Sequence, residues 1–163
     1  MAIHDLTNLK GYKAYLFEKA KQVFPEITEA NFFRSPGELQ DKKNNAPEIV
    51  IVILKILTLP TGATGSQRLN KKQITMAILH QIKEKKDYDL IEDRQSEAEV
   101  QAWKLLDFIN KDYHNKFPED GSDTPGVLHF KYEDSQITAT YLDVLLSHYG
   151  AAMNFILTGY PPN

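Results

Sequence analysis

The chain has 163 residues, of which 42% are hydrophobic and 25% are charged, and its formal net charge is -3. This length and composition are typical of one globular domain whose core needs no disulfide or metal ion. The absence of cysteine excludes disulfides and thiolate metal sites, and the chain lacks the basic excess of a general nucleic-acid-binding protein. The residues before Leu9 lack the pattern of a signal peptide, and no apolar run reaches the ~20 residues of a membrane span. We therefore expect a cytoplasmic protein.

An amphipathic helix is predicted near the N-terminus, after a cap at Thr7 or Asn8. Its apolar residues recur at spacings of three and four: Leu9, Tyr12, Leu16, Ala20 and Val23. Pro25 ends this helix because a proline cannot donate to the helical ladder. The following segment, 26–47, is predicted to be irregular because it contains a Ser-Pro-Gly turn and a wholly polar stretch.

Two strands are predicted next, joined by a flexible loop over residues 60–70. Residues 48–59 form a near-continuous run of β-branched and leucine side chains, as in a strand that is buried on both faces. Residues 71–83 fit a strand, but they also fit a helix because Ile74, Ile78 and Ile82 are four residues apart. The isoleucine and threonine content favours the strand, which would form a hairpin with residues 48–59.

A long helix is predicted over residues 87–117. Its capping box would be formed by Asp89 with Glu92, or by Ser96 with Glu99. Its buried stripe is expected to contain Ala98, Ala102, Leu105, Leu106, Ile109 and Tyr113, with Trp103 at the edge. The polar residues 118–126 are predicted to form a second flexible loop.

The C-terminal part completes the predicted sheet. Residues 127–132 alternate as a strand does. Residues 137–156 fit either a helical stripe or two strands joined through residues 142–149, and the β-leaning residues before Leu142, together with Gly150, favour the two strands. The predicted fold is a single α+β domain over residues 1–163. Its antiparallel or mixed sheet of about four strands packs against an N-terminal helix and one long central helix.

No catalytic, cofactor or metal site is predicted. The loop Gly62–Ser66 lacks the glycine spacing and the lysine of a phosphate-binding loop. A satisfied or solvated role is expected for each of five histidines: His4, His80, His114, His129 and His148. Asp107 and Asp112 are interpreted as part of a solvated helix face. Three acidic residues lack the order of a calcium-binding loop: Glu119, Asp120 and Asp123. The sequence therefore predicts a protein that is not an enzyme.

Two features suggest contact with a partner protein. Phe32, Phe33 and Arg34 are residue types that are enriched at interface centres, although anchoring of the long segment 26–47 to the core explains the phenylalanines equally well. The 60–70 loop is long for a hairpin and would order against a neighbour. The predicted interface residues are Phe32, Phe33, Arg34, Gly62, Gly65 and Arg68.

The order of elements resembles that of small tail proteins in phages and prophages of Bacteroidetes. The stretches that carry the resemblance are Asn31-Phe-Phe-Arg34, Ile49–Leu54, Ile74–Lys83, Asp87–Phe117 and Asp143…Tyr149-Gly150…Phe155. The glycine-rich 60–70 loop and the alanines after Gly150 depart from that pattern. The nearest members are tail terminators, or tail-completion proteins, and the related cap proteins of contractile injection systems.

The resemblance implies a structural subunit that caps the tail tube as a ring, usually a hexamer. Its partners would be other copies of itself, the tube protein and the sheath or connector proteins, with no cofactor and no direct binding to nucleic acid or membrane. Such a protein would be found in the bacterial cytoplasm during assembly and then in the virion tail or injection particle. A ring built from heterologous contacts needs two different surfaces on each subunit.

Two other hypotheses remain open at the level of sequence. A monomeric cytoplasmic adaptor that binds one protein has the same predicted fold and differs only in stoichiometry. An enzyme would have to assemble its site from scattered residues such as His80, Asp107 and His129, in a pocket that brings two titratable groups into contact.

Overall fold

The chain folds as an α+β domain whose described part contains three helices and six strands. The computed structural model describes residues 6, 8–42, 46–60, 70–82, 87–116, 128–130, 132–141 and 148–159. The elements, in chain order, are α1 (Leu9–Val23), β1 (Phe32–Phe33), α2 (Pro36–Asp41), β2 (Ile49–Leu59), β3 (Asn70–Gln81), α3 (Tyr88–Lys116), β4 (Leu128–Phe130), β5 (Gln136–Tyr141) and β6 (His148–Gly159). A 3₁₀ turn, Tyr132–Asp134, precedes β5. None of the described helices combines the length and the apolar character needed to cross a membrane.

The strands form one mixed sheet. β2, β3 and β6 are its antiparallel centre, in which Ile51 lies opposite Ile78 and Ile78 lies opposite Ala151. At one edge, β1 pairs in parallel with β2. At the other edge, β5 and β4 pair with successive parts of β6. The sheet is therefore open, with β1 on one side and the pair β4 and β5 on the other.

The main core lies between one face of the sheet and the two longer helices. Tyr12, Leu16 and Ala20 of α1 are completely buried there. The apolar stripe of α3 is also completely buried, through Ala98, Ala102, Leu105, Leu106 and Ile109. Alternate residues of the strands face these helices, because side chains repeat every second residue in a strand and every three or four in a helix. The predicted stripes are confirmed at these positions. Leu9 is 47% exposed, Val23 is half-buried, and the side chain of Tyr113 lies outside the described residues.

A smaller core covers part of the opposite face. Leu39 of α2 is fully buried there among Phe33, Val50, Val52, Ala77 and Leu79. The helix begins at Ser35, whose hydroxyl oxygen accepts a hydrogen bond from the Glu38 backbone N–H at 3.2 Å. In return, the Glu38 carboxylate accepts one from the Arg34 backbone N–H at 3.0 Å. These bonds satisfy the Glu38 amide in the first turn and the Arg34 amide just before the helix, so even a six-residue helix has a defined start.

The prediction that residues 26–47 are irregular is wrong, because β1 and α2 lie within this segment. The expected sheet of about four strands is also too small, since six are present among the described residues. Both errors have the same physical cause. β1 has two residues and α2 has six, which is too short for a hydrophobic period to appear in the sequence. These elements form because they pack against β2 and the second core. The strand predicted over residues 127–132 is confirmed as β4.

Both segments with two sequence interpretations are strands, as predicted. β3 pairs along its whole length with β2 on one side and β6 on the other. β5 and β6 pair with each other, and the connection through residues 142–147 lies outside the described residues. The expected burial of residues 48–59 on both faces holds only for the first half of β2. Lys55 and Leu57 are exposed because α2 does not extend over them.

The predicted capping boxes of α3 are wrong. The helix begins earlier, and the carboxylate of Asp87 accepts a hydrogen bond from the Leu90 backbone N–H at 3.0 Å. Asp89 and Ser96 therefore lie inside the helix. At the start of α1 the prediction is confirmed for Asn8, whose side chain accepts from the Gly11 backbone N–H at 2.8 Å.

Candidate interaction surfaces

Part of the sheet face that carries α2 is polar and open. Beyond the second core, Gln73 donates to the side-chain oxygen of Asn154 at 2.9 Å, and Asn154 donates to the Thr75 hydroxyl at 3.0 Å. These three side chains form a ladder across β3 and β6. Lys55 and Leu57 of β2 extend the same face, and Leu57 is 41% exposed. This ladder of neutral polar groups fixes half-buried side chains on a face that can contact another protein.

The outer sides of the two outermost strands, β1 and β5, are not paired with any described strand. β5 offers the longer edge, and four of its six residues are exposed. Its Thr140 carbonyl accepts a hydrogen bond from the Gln95 side chain at 3.3 Å, and Tyr141 is 62% exposed. Exposed edges of this kind are templates for strand pairing or for side-chain contact with a second chain.

The structure separates the three neighbouring residues of the predicted Phe32-Phe33-Arg34 interface. Phe32 is 3% exposed and packs in the main core, where its ring lies 5.1 Å from that of Phe17. Phe33 is 2% exposed and points to the opposite face, into the second core. The two phenylalanines therefore anchor the segment, since successive side chains of a strand point to opposite faces. Arg34 is the exposed member.

An open groove runs beside α1 at the β1 edge. It has a volume of about 360 Å³ and is lined by Leu9, Lys10, Lys13, Ala14 and Arg34. A smaller hollow of about 160 Å³ lies on the other side of Arg34, next to Glu29 and Glu38. The groove therefore combines apolar side chains with three cations. Of the predicted interface residues, Arg34 is the one placed in it. Gly62, Gly65 and Arg68 lie outside the described residues, as do the loop residues 118–126.

The described histidines have hydrogen-bond partners. The Nε2 atom of His80 lies 2.7 Å from the side-chain oxygen of Gln101, and the Nε2 atom of His148 lies 2.8 Å from the Pro47 carbonyl oxygen, to which it donates. Burial lowers the pKa of His148. The bond to Pro47 acts in the opposite direction, and the nearby His80 lowers the pKa further. These contacts tie β6 and β3 to neighbouring segments. The side chains of His114 and His129 lie outside the described residues, together with His4.

The hypothetical enzyme site does not come together in the described part of the chain. His80 contacts α3 at Gln101, whereas Asp107 lies six residues further along, about 9 Å by helical rise. Asp107 instead accepts a hydrogen bond from the Tyr132 hydroxyl at 2.7 Å, which raises the pKa of Tyr132. Among the described residues, no group of three or more histidine, aspartate or glutamate side chains could hold a metal ion.

Lys72 is a buried cation that the sequence reasoning missed. It is 7% exposed on the helix-covered face, and its ammonium group donates to the Thr58 hydroxyl on the paired strand. Burial lowers the pKa of Lys72. The strand alternation of residues 71–83 places Lys72 on the apolar side with Ile74, and that pattern could have identified it. The bond to Thr58 is a structural contact between β3 and β2.

Comparison with known proteins adds no relative. No family model matches the chain, and no match is found among curated proteins. Function has therefore to be inferred from the surfaces described above.

Proposed function

We propose that this chain is a structural assembly subunit, namely a tail terminator of a phage or of a related contractile injection system. In this role, copies of the chain form a ring, expected to be a hexamer, that caps the tail tube. The assignment to a phage tail rests on the resemblance in the order of elements. The open sheet supports a role in assembly. Alternatively, a chain that stays monomeric would be the cytoplasmic adaptor.

The observation that carries an assembly role is the incomplete covering of the sheet. Helices cover one face. Among the described residues, the second core covers only part of the other face, from Phe33 of β1 to Leu79 of β3, and both edges end in strands whose outer sides are unpaired. A monomer that works alone commonly protects such edges with short strands, charges or covering segments. β1 has two residues, whereas β5 has six and therefore offers more backbone for pairing with a second chain. The longer open edge is therefore the β5 edge.

The mass of the purified protein in solution tests this proposal. Light scattering coupled to gel filtration is carried out on the chain alone and then mixed with the candidate tail-tube protein. A particle of six times 18.6 kDa, either alone or only with the tube protein, is the expected result. A chain that stays at 18.6 kDa at every concentration and does not bind the tube protein would refute the ring cap and favour the adaptor.

A further inference from the structure

Charged side chains of opposite sign lie beside the two edges of the sheet. The strand order places β1 at one edge and β5 at the other, with β2, β3 and β6 between them. Four strand spacings separate the edges, which is about 19 Å. α1 lies beside β1, as the contact of Phe17 with Phe32 shows, and the first half of α3 lies beside β5, as the bond from Gln95 to Thr140 shows. The two surfaces are therefore too far apart to neutralise each other within one chain.

The side of α1 next to β1 is basic. Lys13 and Lys21 lie four residues before and after Phe17, and Lys10 lies seven before, so that all three share the side that contacts β1. The ammonium group of Lys21 lies 5.2 Å from the centre of the Phe17 ring. We call these three lysines and Arg34 the basic stripe. Glu29 and Glu38 beside Arg34 are the nearby acids, and no described residue forms an ion pair with a cation of the stripe.

The side of α3 next to β5 is acidic. Glu92 lies three residues before Gln95 and Glu99 lies four after it, so both share the side whose Gln95 contacts β5. Glu133 and Asp134 are exposed in the 3₁₀ turn that leads into β5. We call these four carboxylates the acidic stripe. Neither this turn nor β5 contains a lysine or arginine.

Exposed apolar groups accompany both stripes. Tyr88, on the same side of α3 as Glu92, is 75% exposed, and Tyr141 at the end of β5 is 62% exposed. On the basic side, Leu9 and Ala14 line the groove, and Leu9 is 47% exposed. An interface needs such apolar area in addition to charge, because exposed ion pairs alone contribute little to affinity.

We propose that the acidic stripe of one copy of this chain binds the basic stripe of the next copy, with tyrosines of the acidic side entering the groove beside α1. The occupant of each surface is a second copy because the chain carries both complementary surfaces, on opposite edges. Each contact is heterologous, so repeated contacts close into a ring when the rotation between copies allows it. This inference identifies the surfaces of the proposed ring and rests on the self-association proposed above.

Charge reversal on each stripe tests the contact. One variant carries Lys10→Glu and Lys13→Glu, and the other carries Glu92→Lys and Glu99→Lys. Each variant should lose the wild-type oligomer, with a dissociation constant raised about 100-fold, because two charges of the altered stripe then repel the opposite stripe and its net charge falls to zero. An equimolar mixture should regain an oligomer of the wild-type mass, since the new glutamates of one variant then face the new lysines of the other. Elevated salt should weaken the wild-type oligomer.

A matched control for the Lys10→Glu, Lys13→Glu variant is Lys104→Glu with Lys111→Glu, which makes the same change in net charge at exposed positions of α3 outside both stripes. This control should assemble as the wild type does. Circular dichroism and the thermal midpoint of each variant show whether it is folded. New glutamates in the first turns of α1 are compatible with helix formation because they lie near its positive end.

The outcomes separate this inference from the proposed function. If the wild type forms a ring, alone or on the tube protein, and both charge-reversed variants do so equally well, the stripes are not the contact and the ring stands. Failure of the mixture to reassemble, when both variants are folded, also overturns the head-to-tail pairing. A wild type that assembles neither alone nor with the tube protein overturns both proposals.

Discussion

Replacement of Gly150 by alanine tests how closely the two central strands approach each other. Gly150 lies in β6 opposite Leu79 of β3. An added Cβ would lie 1.8 Å from the Ile78 carbonyl oxygen and 2.9 Å from the Leu79 Cα. Real Cβ contacts essentially never fall below 3.0 Å, so the atoms must separate by at least 1.2 Å. The neighbour is backbone in the middle of the sheet, and no side-chain rotation can relieve the contact.

The cost follows from the hydrogen bonds that this separation breaks. A displacement of more than 1 Å stretches a backbone bond of about 2.9 Å beyond hydrogen-bonding distance. Two buried groups that lose their partners cost about 1–3 kcal/mol each. We therefore expect Gly150→Ala to lower the free energy of unfolding by about 2–6 kcal/mol. This is a large part of the roughly 5–15 kcal/mol that stabilises a typical domain.

Urea denaturation followed by circular dichroism measures this change. The matched control is Gly37→Ala in α2, where the added Cβ would meet only the Ser35 hydroxyl oxygen, at 3.9 Å. Alanine there should stabilise the protein by about 0.5–1 kcal/mol, because it loses less backbone entropy than glycine in a helix. If Gly150→Ala changes the free energy of unfolding by less than about 1 kcal/mol, the close approach of β3 and β6 at Gly150 is not rigid and does not determine the stability.

Two further predictions concern the second face of the sheet. Leu39→Ala should lower the free energy of unfolding by about 3 kcal/mol because it removes the side chain at the centre of the second core. Leu57→Ala, at an exposed position of the same face, should lower it by less than about 1 kcal/mol. Equal urea midpoints for the two variants would contradict the packing of α2. Stability should also fall as the pH drops below 6.5, the ordinary pKa of histidine, because the unfolded chain protonates His148 while burial lowers its pKa in the folded state. This residue contributes at most about 1.4 kcal/mol per pH unit to the slope of the unfolding free energy against pH. His148→Gln should reduce the loss of unfolding free energy between pH 7.5 and 5.5. If urea titrations at these pH values give the same loss for the variant and the wild type, His148 does not cause the pH dependence.

The long elements could be predicted because their hydrophobic periods extend over many residues. The stripe of α1 from Tyr12 to Ala20 and that of α3 from Ala98 to Ile109 both appear in the sequence and both are buried. The same holds for the apolar start of β2. An element of this length repeats its period several times, so the pattern identifies both its type and its buried side. The α+β class follows from the number and order of such elements.

The short elements and the surfaces depended on the tertiary structure. Phe33 and Leu39 are buried only because β1 and α2 meet the second face of the sheet, and a segment of two or six residues carries no period that would indicate this. The candidate stripes have the same origin. Lys13 and Glu92 appear in the sequence as ordinary charges on solvated helix faces, and only the strand order places one beside β1 and the other beside β5. Local periodicity thus determined the helices and long strands, whereas the side of the molecule on which each charge lies was decided by pairings between residues far apart in the chain.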